Sequence, residues 1–482
     1  MKRLVSLLLV LVLIIPSFSL YGCGKKKEEK RVLRISNCED YISVSVEGED
    51  YVDLIAKFEE ETGIDVEYST YSTNENLYNE LVINPKSYDV VIPSEYMIQK
   101  LATEGRLKKL DKSKVENYQN ISPFIIDTFK DISFEVKDGD YKGENANLDD
   151  FAIGYMWGTM GWVYNENVDP ADVTTWNGVF ASNKYNKRMT LKDSVRDSYL
   201  VGLGMVYEDE LFSVINAGEN VNQKVNEIFN RTDKDSINAV GDKLTSLKSQ
   251  LYGFEVDSGK NDIVTGKIDA YVAWSGDACF AIDEAEFDGV ALDYYVPDCG
   301  SNIWFDGMVM PAKAENVDEA YEFINFICDE QNAVDNMDYI GYTSVVGGDT
   351  VFEYIQDNFD EGEGEELDLS YFFGAGSIIQ VSEESWGRAI AQYPTEEIAT
   401  RCAVMSYFDD DTLISVNKMW ENVKGSTFPT GMLIAVGALV LVIIAFIVMY
   451  RNKDKLKWFK LPERKKKSLT EKGYKIVDKQ DL

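Results

Sequence analysis

From residue 32 onward, apolar and polar positions come in short runs whose period switches between two and about three and a half. VLRIS (32–36) alternates and predicts a strand, while YVDLIAKFEEETG (51–63) places Val52, Ile55 and Phe58 at helical spacing with Gly63 as a stop. IDVEYSTY predicts a second strand, NENLYNELVI a second helix, and YDVVIPS (88–94) a third strand with an almost continuous apolar run. The theme returns in RMTLKDS (188–194) followed by the helical VRDSYLVGLGMVY, and in GKIDAYVAW (266–274) followed by SGDACFAIDEA. NIWFDGMVM (302–310) is a further strand, and VDEAYEFINFICDEQNAV (317–334) reads as one long helix. Strands alternating with helices predict α/β architecture with buried, mostly parallel sheets, and two such series predict two lobes.

In open parallel sheets, ligands bind beyond the carboxyl ends of the strands. Those positions hold Cys38, Glu39, Asp40 and Tyr41, then Ser94 and Tyr96, then Ser194 and Asp197, then Trp274 and Asp277. In NIWFDGMVM, Trp304 and Asp306 are two apart and leave one face of a strand together. A carboxylate among apolar neighbours needs a positive partner, either an internal Lys or Arg or a cationic ligand.

Composition narrows the chemistry. The chain has 482 residues, a net charge of −35 and no histidine. Ser-His-Asp triads, Cys-His dyads and histidine-ligated metals are therefore excluded, and no GxxxxGK[ST] loop is present. The first 31 residues carry seven basic and two acidic side chains, and residues 451–482 carry twelve and five. Residues 32–450 are left with −47, a field that repels nucleic acid and attracts cations. Part of that charge, as in Asp360–Glu366, reads as a solvated loop. Besides Cys23, the cysteines Cys38, Cys279, Cys299, Cys328 and Cys402 fit no zinc spacing and read mainly as small buried hydrophobes. Neither a metal nor a cofactor is expected.

The two ends predict export and anchoring. Residues 1–22 have a basic start and an apolar stretch typical of a secretory signal, and Leu20-Tyr21-Gly22-Cys23 resembles a lipobox, which implies lipidation at Cys23. A basic linker follows to residue 31. Residues 431–450 are apolar and uncharged over the length of a bilayer span, and the basic tail 451–482 places that end in the cytoplasm. The expected location is the cell membrane, with the bulk of the chain on its extracytoplasmic face.

Five segments in this order, YDVVIPSEYMIQKLATEGRLKKLDKSKV, IGYMWGTMGWVYN, VDPADVTTW, WSGDA and NIWFDGMVMPAKAENVDEAYEFINFI, resemble the spermidine/putrescine-binding proteins of bacterial ABC importers. The resemblance covers about residues 32–424, and its combined PSxY, YxWGT, WSGDA and WFD signatures are specific. It implies a two-lobed periplasmic-binding-protein-like clamp, with residues 32–148 and 304–352 in lobe 1 and residues 149–303 and 353–425 in lobe 2. It also implies one bound polyamine, delivered to ABC permease subunits. The pocket residues it implies are Cys38, Glu39, Asp40, Tyr41, Ser94, Tyr96, Ser194, Asp197, Trp274, Trp304, Asp306, Tyr342 and Asp409, with Asp277 a further candidate acid. This chain departs from the family at Cys38, where a tryptophan is common, at Ser194, where an acid is common, and at Asp197, one methylene shorter than the usual glutamate.

The chemistry of those residues agrees with a polyamine. Tyr41, Tyr96, Trp274, Trp304 and Tyr342 offer flat apolar faces for methylenes, and Glu39 or Asp40, Asp197, Asp306 and Asp277 offer carboxylates for ammonium groups. Rival readings are a glycosidase built on paired acids, a binding protein for another small cationic solute, and a membrane-tethered ligand sensor. An amino-acid site would need an arginine for the carboxylate, and Arg196 is the candidate near these motifs.

Overall fold

A computed structural model describes residues 31–181 and 183–425. The strand Val32–Cys38 lies parallel to Asp65–Tyr71 on one side and to Val90–Val91 on the other. The intervening helix, Leu54–Thr62, starts later than its apolar pattern suggests because Asp53 caps it, accepting the Ala56 N–H. Gly63 ends it at φ 68°, the left-handed conformation that glycine adopts without penalty. Leu54 and Phe58 are buried by this placement, while Val52 and Ile55 are half-buried at the edge of the core.

Beyond Val90–Val91 the sheet continues through Ser301–Val309, Ala152–Asn165, Ala270–Trp274, Met189–Lys192 and Gly253–Glu255. Ser301–Val309 is antiparallel to both of its neighbours and Ala152–Asn165 is antiparallel to Ala270–Trp274, whereas the last three strands are mutually parallel. The expectation of a separate, mostly parallel sheet in each lobe is thereby corrected to one mixed sheet. The physical reason is the 14-residue strand Ala152–Asn165, which is buried along its whole length and long enough to serve both lobes. Its first half pairs with Ser301–Val309 and Thr343–Ser344, and its second half with Ala270–Trp274 and Leu292–Tyr295.

Two apolar cores flank this sheet. One gathers Leu33, Phe58, Trp157, Phe305 and Ile324, and the other gathers Trp162, Trp176, Met189, Leu203 and Trp420. The segment 353–381 packs against the first core: Phe372 stacks on Trp157 at 5.2 Å, and its carbonyl accepts from Ser122 Oγ. The final helix, Asp410–Lys424, lies against the second core, with Trp420 edge-on to Phe254. The long helix expected over 317–334 is two, Val317–Ile327 and Glu330–Ile340, because the Asp329 carboxylate accepts the N–H groups of Gln331 and Asn332 and starts a new helix.

Cys279, Cys299, Cys328 and Cys402 are buried as thiols and Cys38 is partly buried. Among the described residues no helix is long and apolar enough to cross a membrane. The signal over 1–22, Cys23, the span at 431–450 and the tail at 451–482 lie outside the described residues.

Candidate functional site

The strand Ser301–Val309 carries the centre of the site. Phe305 pairs with Trp157 and Gly307 with Gly154, so Tyr155 and Met156 both stand opposite the single residue Asp306. This bulge interrupts the ladder where a side chain has to be aimed. Asp306 bridges instead to Ser94, and its Oδ2 accepts the Tyr41 hydroxyl at 2.6 Å. Trp304, on the same face, is fixed by its indole N–H donating to the Thr159 carbonyl at 3.1 Å. Tyr342 packs 5.7 Å from Trp304 and 4.9 Å from Tyr41, ring centre to ring centre.

Ser94 precedes the helix Glu95–Thr103 but makes no side-chain cap to it. Its hydroxyl instead accepts from Asn74 Nδ2 at 3.0 Å and contributes a hydrogen bond to Asp306. Behind Asp306, buried Glu95 accepts the Phe305 N–H at 3.1 Å. Burial pushes the Asp306 carboxyl up to about 6 against the opposing hydrogen bonds of Tyr41 and Ser94. Burial likewise pushes Glu95 up to about 8, with the charge of Asp306 adding to the shift and the Phe305 N–H opposing it. Among the described residues, neither Asp306 nor Glu95 has a lysine or arginine in ion-pair contact.

The other end of the site is built by the strand Ala270–Trp274 and the helix Val195–Val206. Ser194 caps that helix, its hydroxyl accepting the Asp197 N–H at 3.3 Å. Ser194 thus holds Asp197 at the start of the helix. Asp197 is buried and accepts the Trp274 indole N–H at 3.4 Å. Burial raises its carboxyl above the ordinary range, opposed by Ser194 and the charge of Lys192. It too has no ion-pair partner among the described residues.

Asp277 is different. Its carboxylate meets Lys192 Nζ at 3.1 Å, Lys260 Nζ at 3.2 Å and the Tyr342 hydroxyl at 2.9 Å. Burial works to raise this carboxyl, but the two ammonium groups outweigh it and hold it below the ordinary range. Asp277 is thus paired with internal lysines. Lys192 lies 3.9 Å above the centre of the Trp274 ring and donates to the Val256 carbonyl at 2.9 Å.

Other expected residues sit at the margin. Glu39 and Asp40 are exposed, with Asp40 at φ 51°, and Cys38 is half-buried with its thiol pushed up to about 12 by burial. The Tyr96 ring is covered by the guanidinium of Arg196 at 4.6 Å, so that face is not available to a methylene chain. Arg196 is itself held between Tyr96 and Phe408 and donates through one terminal nitrogen to the Ser406 carbonyl, while its Nε and other terminal nitrogen are buried without a hydrogen-bond partner among the described residues. A cavity of about 260 Å³ opens beside them, lined by Glu75, Tyr78, Lys100 and Asp410 among others, but not by Trp304, Asp306 or Trp274. Asp409 is exposed and caps the final helix by accepting the Thr412 N–H at 2.8 Å.

Glu95, Lys192 and Lys260 were not anticipated. Lys192 carried a signal, since a lysine closing the apolar run MTL stands at a strand's carboxyl end, where ligand groups belong. No group of acidic and cysteine side chains among the described residues is arranged to hold a metal. What remains is a wall of Tyr41, Tyr342, Trp304 and Trp274 with a buried carboxylate outside any ion pair at either end.

Comparison with known proteins gives a consistent picture. The family described as bacterial extracellular solute-binding protein matches residues 53–347. The spermidine/putrescine-binding periplasmic protein of Escherichia coli K12 is 30% identical over 291 residues, 60% of this chain and 72% of that protein. The putrescine-binding periplasmic protein PotF of the same organism is 27% identical over 329 residues, 67% of this chain and 80% of that protein. Among solved structures, the spermidine/putrescine ABC transporter substrate-binding protein PotD of Streptococcus pneumoniae superposes with a TM-score of 0.57 at 28% identity, covering 82% of this chain and 99% of that one.

Proposed function

This chain belongs to the bacterial extracellular solute-binding protein family, and from that premise we propose that it captures a polyamine outside the cytoplasm and delivers it to an ABC importer. The observation that carries the reading is the pair of buried carboxylates, Asp306 and Asp197, each bonded to an aromatic side chain, Tyr41 and Trp274, and neither in an ion pair among the described residues. A buried carboxylate without a counter-charge is costly, and a ligand ammonium supplies what the fold leaves out. Trp304, Tyr41, Tyr342 and Trp274 cover the methylenes between. An ammonium over an aromatic face contributes about 0.5–2 kcal/mol, and a charge-assisted hydrogen bond roughly 1.5–3 kcal/mol. Two such positions give micromolar or tighter binding after the ordering costs of association. Lipidation at Cys23 and insertion of residues 431–450 hold the binding region at the membrane surface, close to the permease it serves.

Calorimetric titration with putrescine, cadaverine, spermidine and spermine, with maltose and glycine as controls, tests this. One-to-one saturable binding of an amine and not of the controls is expected. Asp306→Asn should weaken it by roughly ten- to a hundredfold, and Ser94→Ala by only a few-fold. Equal, small effects of the two substitutions would remove Asp306 from the ammonium site. Silence from every amine in folded protein would overturn the reading.

A further inference from the structure

We infer that Lys192 sets the number of charges the ligand carries: its own ammonium fills a cation position between Tyr342 and Trp274, leaving places for two ligand ammonium groups and not three. The inference rests on the polyamine reading above. A place for an ammonium needs an aromatic face and a carboxylate within contact. The wall offers this combination at Asp306 against Tyr41, at Asp277 against Tyr342 and the lysine that lies over Trp274, and at Asp197 beside the edge of Trp274. The middle one is already occupied. Lys192 Nζ sits 3.9 Å over the Trp274 ring, 3.1 Å from Asp277 and 2.9 Å from the Val256 carbonyl.

Lys192 is not a mobile surface lysine that a ligand brushes aside. Its side chain is 1% exposed, and its backbone is tied into the parallel pairing of Met189–Lys192 with Gly253–Glu255. Displacing the ammonium would break an ion pair, a hydrogen bond and a ring contact together. Lys260 adds a second positive charge on the same carboxylate, 3.2 Å away. One negative group facing two internal ammonium groups repels a third rather than attracting it. Asp306 and Asp197, neither in an ion pair among the described residues, are left for a diamine.

The test is calorimetry on the full-length chain and on Lys192→Met, titrated with putrescine and spermidine. Wild-type protein is expected to bind putrescine at least about tenfold more tightly than spermidine, and Lys192→Met to shift that ratio toward spermidine by about tenfold or more. Lys192→Arg, which keeps the cation, should keep the wild-type order. Three results would overturn the inference: a wild-type preference for spermidine, a ratio unchanged in folded Lys192→Met, or a gain of spermidine binding in Lys192→Arg. If Lys192→Met does not fold by circular dichroism, the wild-type ranking and the arginine variant decide. Absence of binding by both amines to wild-type protein would instead overturn the polyamine reading itself, and with it this inference.

Discussion

At the scale of the residue, the site depends on which carboxylates the fold neutralises. Asp277 and Asp306 look alike in sequence, each an acid two or three residues after a tryptophan. The fold gives Asp277 two lysines and gives Asp306 only the hydroxyls of Tyr41 and Ser94. The consequence is a pH dependence. With its carboxyl raised from 3.8 to about 6 by burial, Asp306 holds a proton in the empty protein as pH falls below 6. An ammonium requires the charged form, so binding displaces that proton. Affinity should hold above pH 7 and fall by up to about tenfold per pH unit below 6. Titration at pH 6 in buffers of different ionisation enthalpy should register release of about half a proton from this group. Stability of the empty protein runs the opposite way. The native state binds this proton more tightly than the unfolded chain, so its contribution is present at low pH and lost as pH rises through 6. Affinity independent of pH between 5 and 8 would exclude Asp306 from the ammonium contact.

At the scale of the element, what aims these side chains is irregularity in regular structure. The bulge opposite Asp306 sits in a strand whose sequence, AIGYMWGTMGWVYN, shows no alternation because both of its faces are buried. Gly158, in that strand, is required by close approach: a Cβ there would lie 2.2 Å from Ser275 Oγ and 2.6 Å from the Trp304 ring. Gly158→Ala is therefore expected to move Trp304 off its Thr159 hydrogen bond and weaken ligand binding by about tenfold or more, with a smaller loss of thermal stability. Ligand titration together with a melting curve checks it, and unchanged affinity would show that Trp304 has no ligand to hold. The caps at Asp53 and Asp329 were legible as residue types. That Asp329 would split the helix over 317–334 was not, because the apolar spacing continues across it.

At the scale of the whole molecule, the long strand Ala152–Asn165 joins both lobes, and side chains from sequence-distant segments hold the lobes together near the site. Gln99 donates to the Met405 carbonyl and Lys100 pairs with Asp410 at 3.3 Å. Around this lies the −47 of residues 32–450. Exposed charge at this density steers cations from a distance, and salt screens that steering once the Debye length falls toward a few ångströms. Contacts enclosed between buried aromatics are screened far less. Raising salt from about 0.05 to about 0.5 M should therefore slow association several-fold and leave dissociation nearly unchanged. Stopped-flow tryptophan fluorescence separates the two rates. A salt effect carried mainly by dissociation would mean that the ligand is held at an exposed surface.

Read by itself, the sequence was enough for the α/β class, for the aromatic and acidic residues that make up the candidate site, and for the resemblance that the family match supports. These are local properties, set by side-chain period, cap residues and short motifs. Folding in three dimensions settled that the sheet runs unbroken through both lobes, that residues 353–381 pack on the first core, and which acids stay outside an ion pair among the described residues. The reason is separation along the chain. Lys192 reaches Asp277 across 85 residues, and Tyr41 reaches Asp306 across 265. No local pattern encodes such a pairing, because whether a buried charge is answered from within depends on what the folded chain brings beside it.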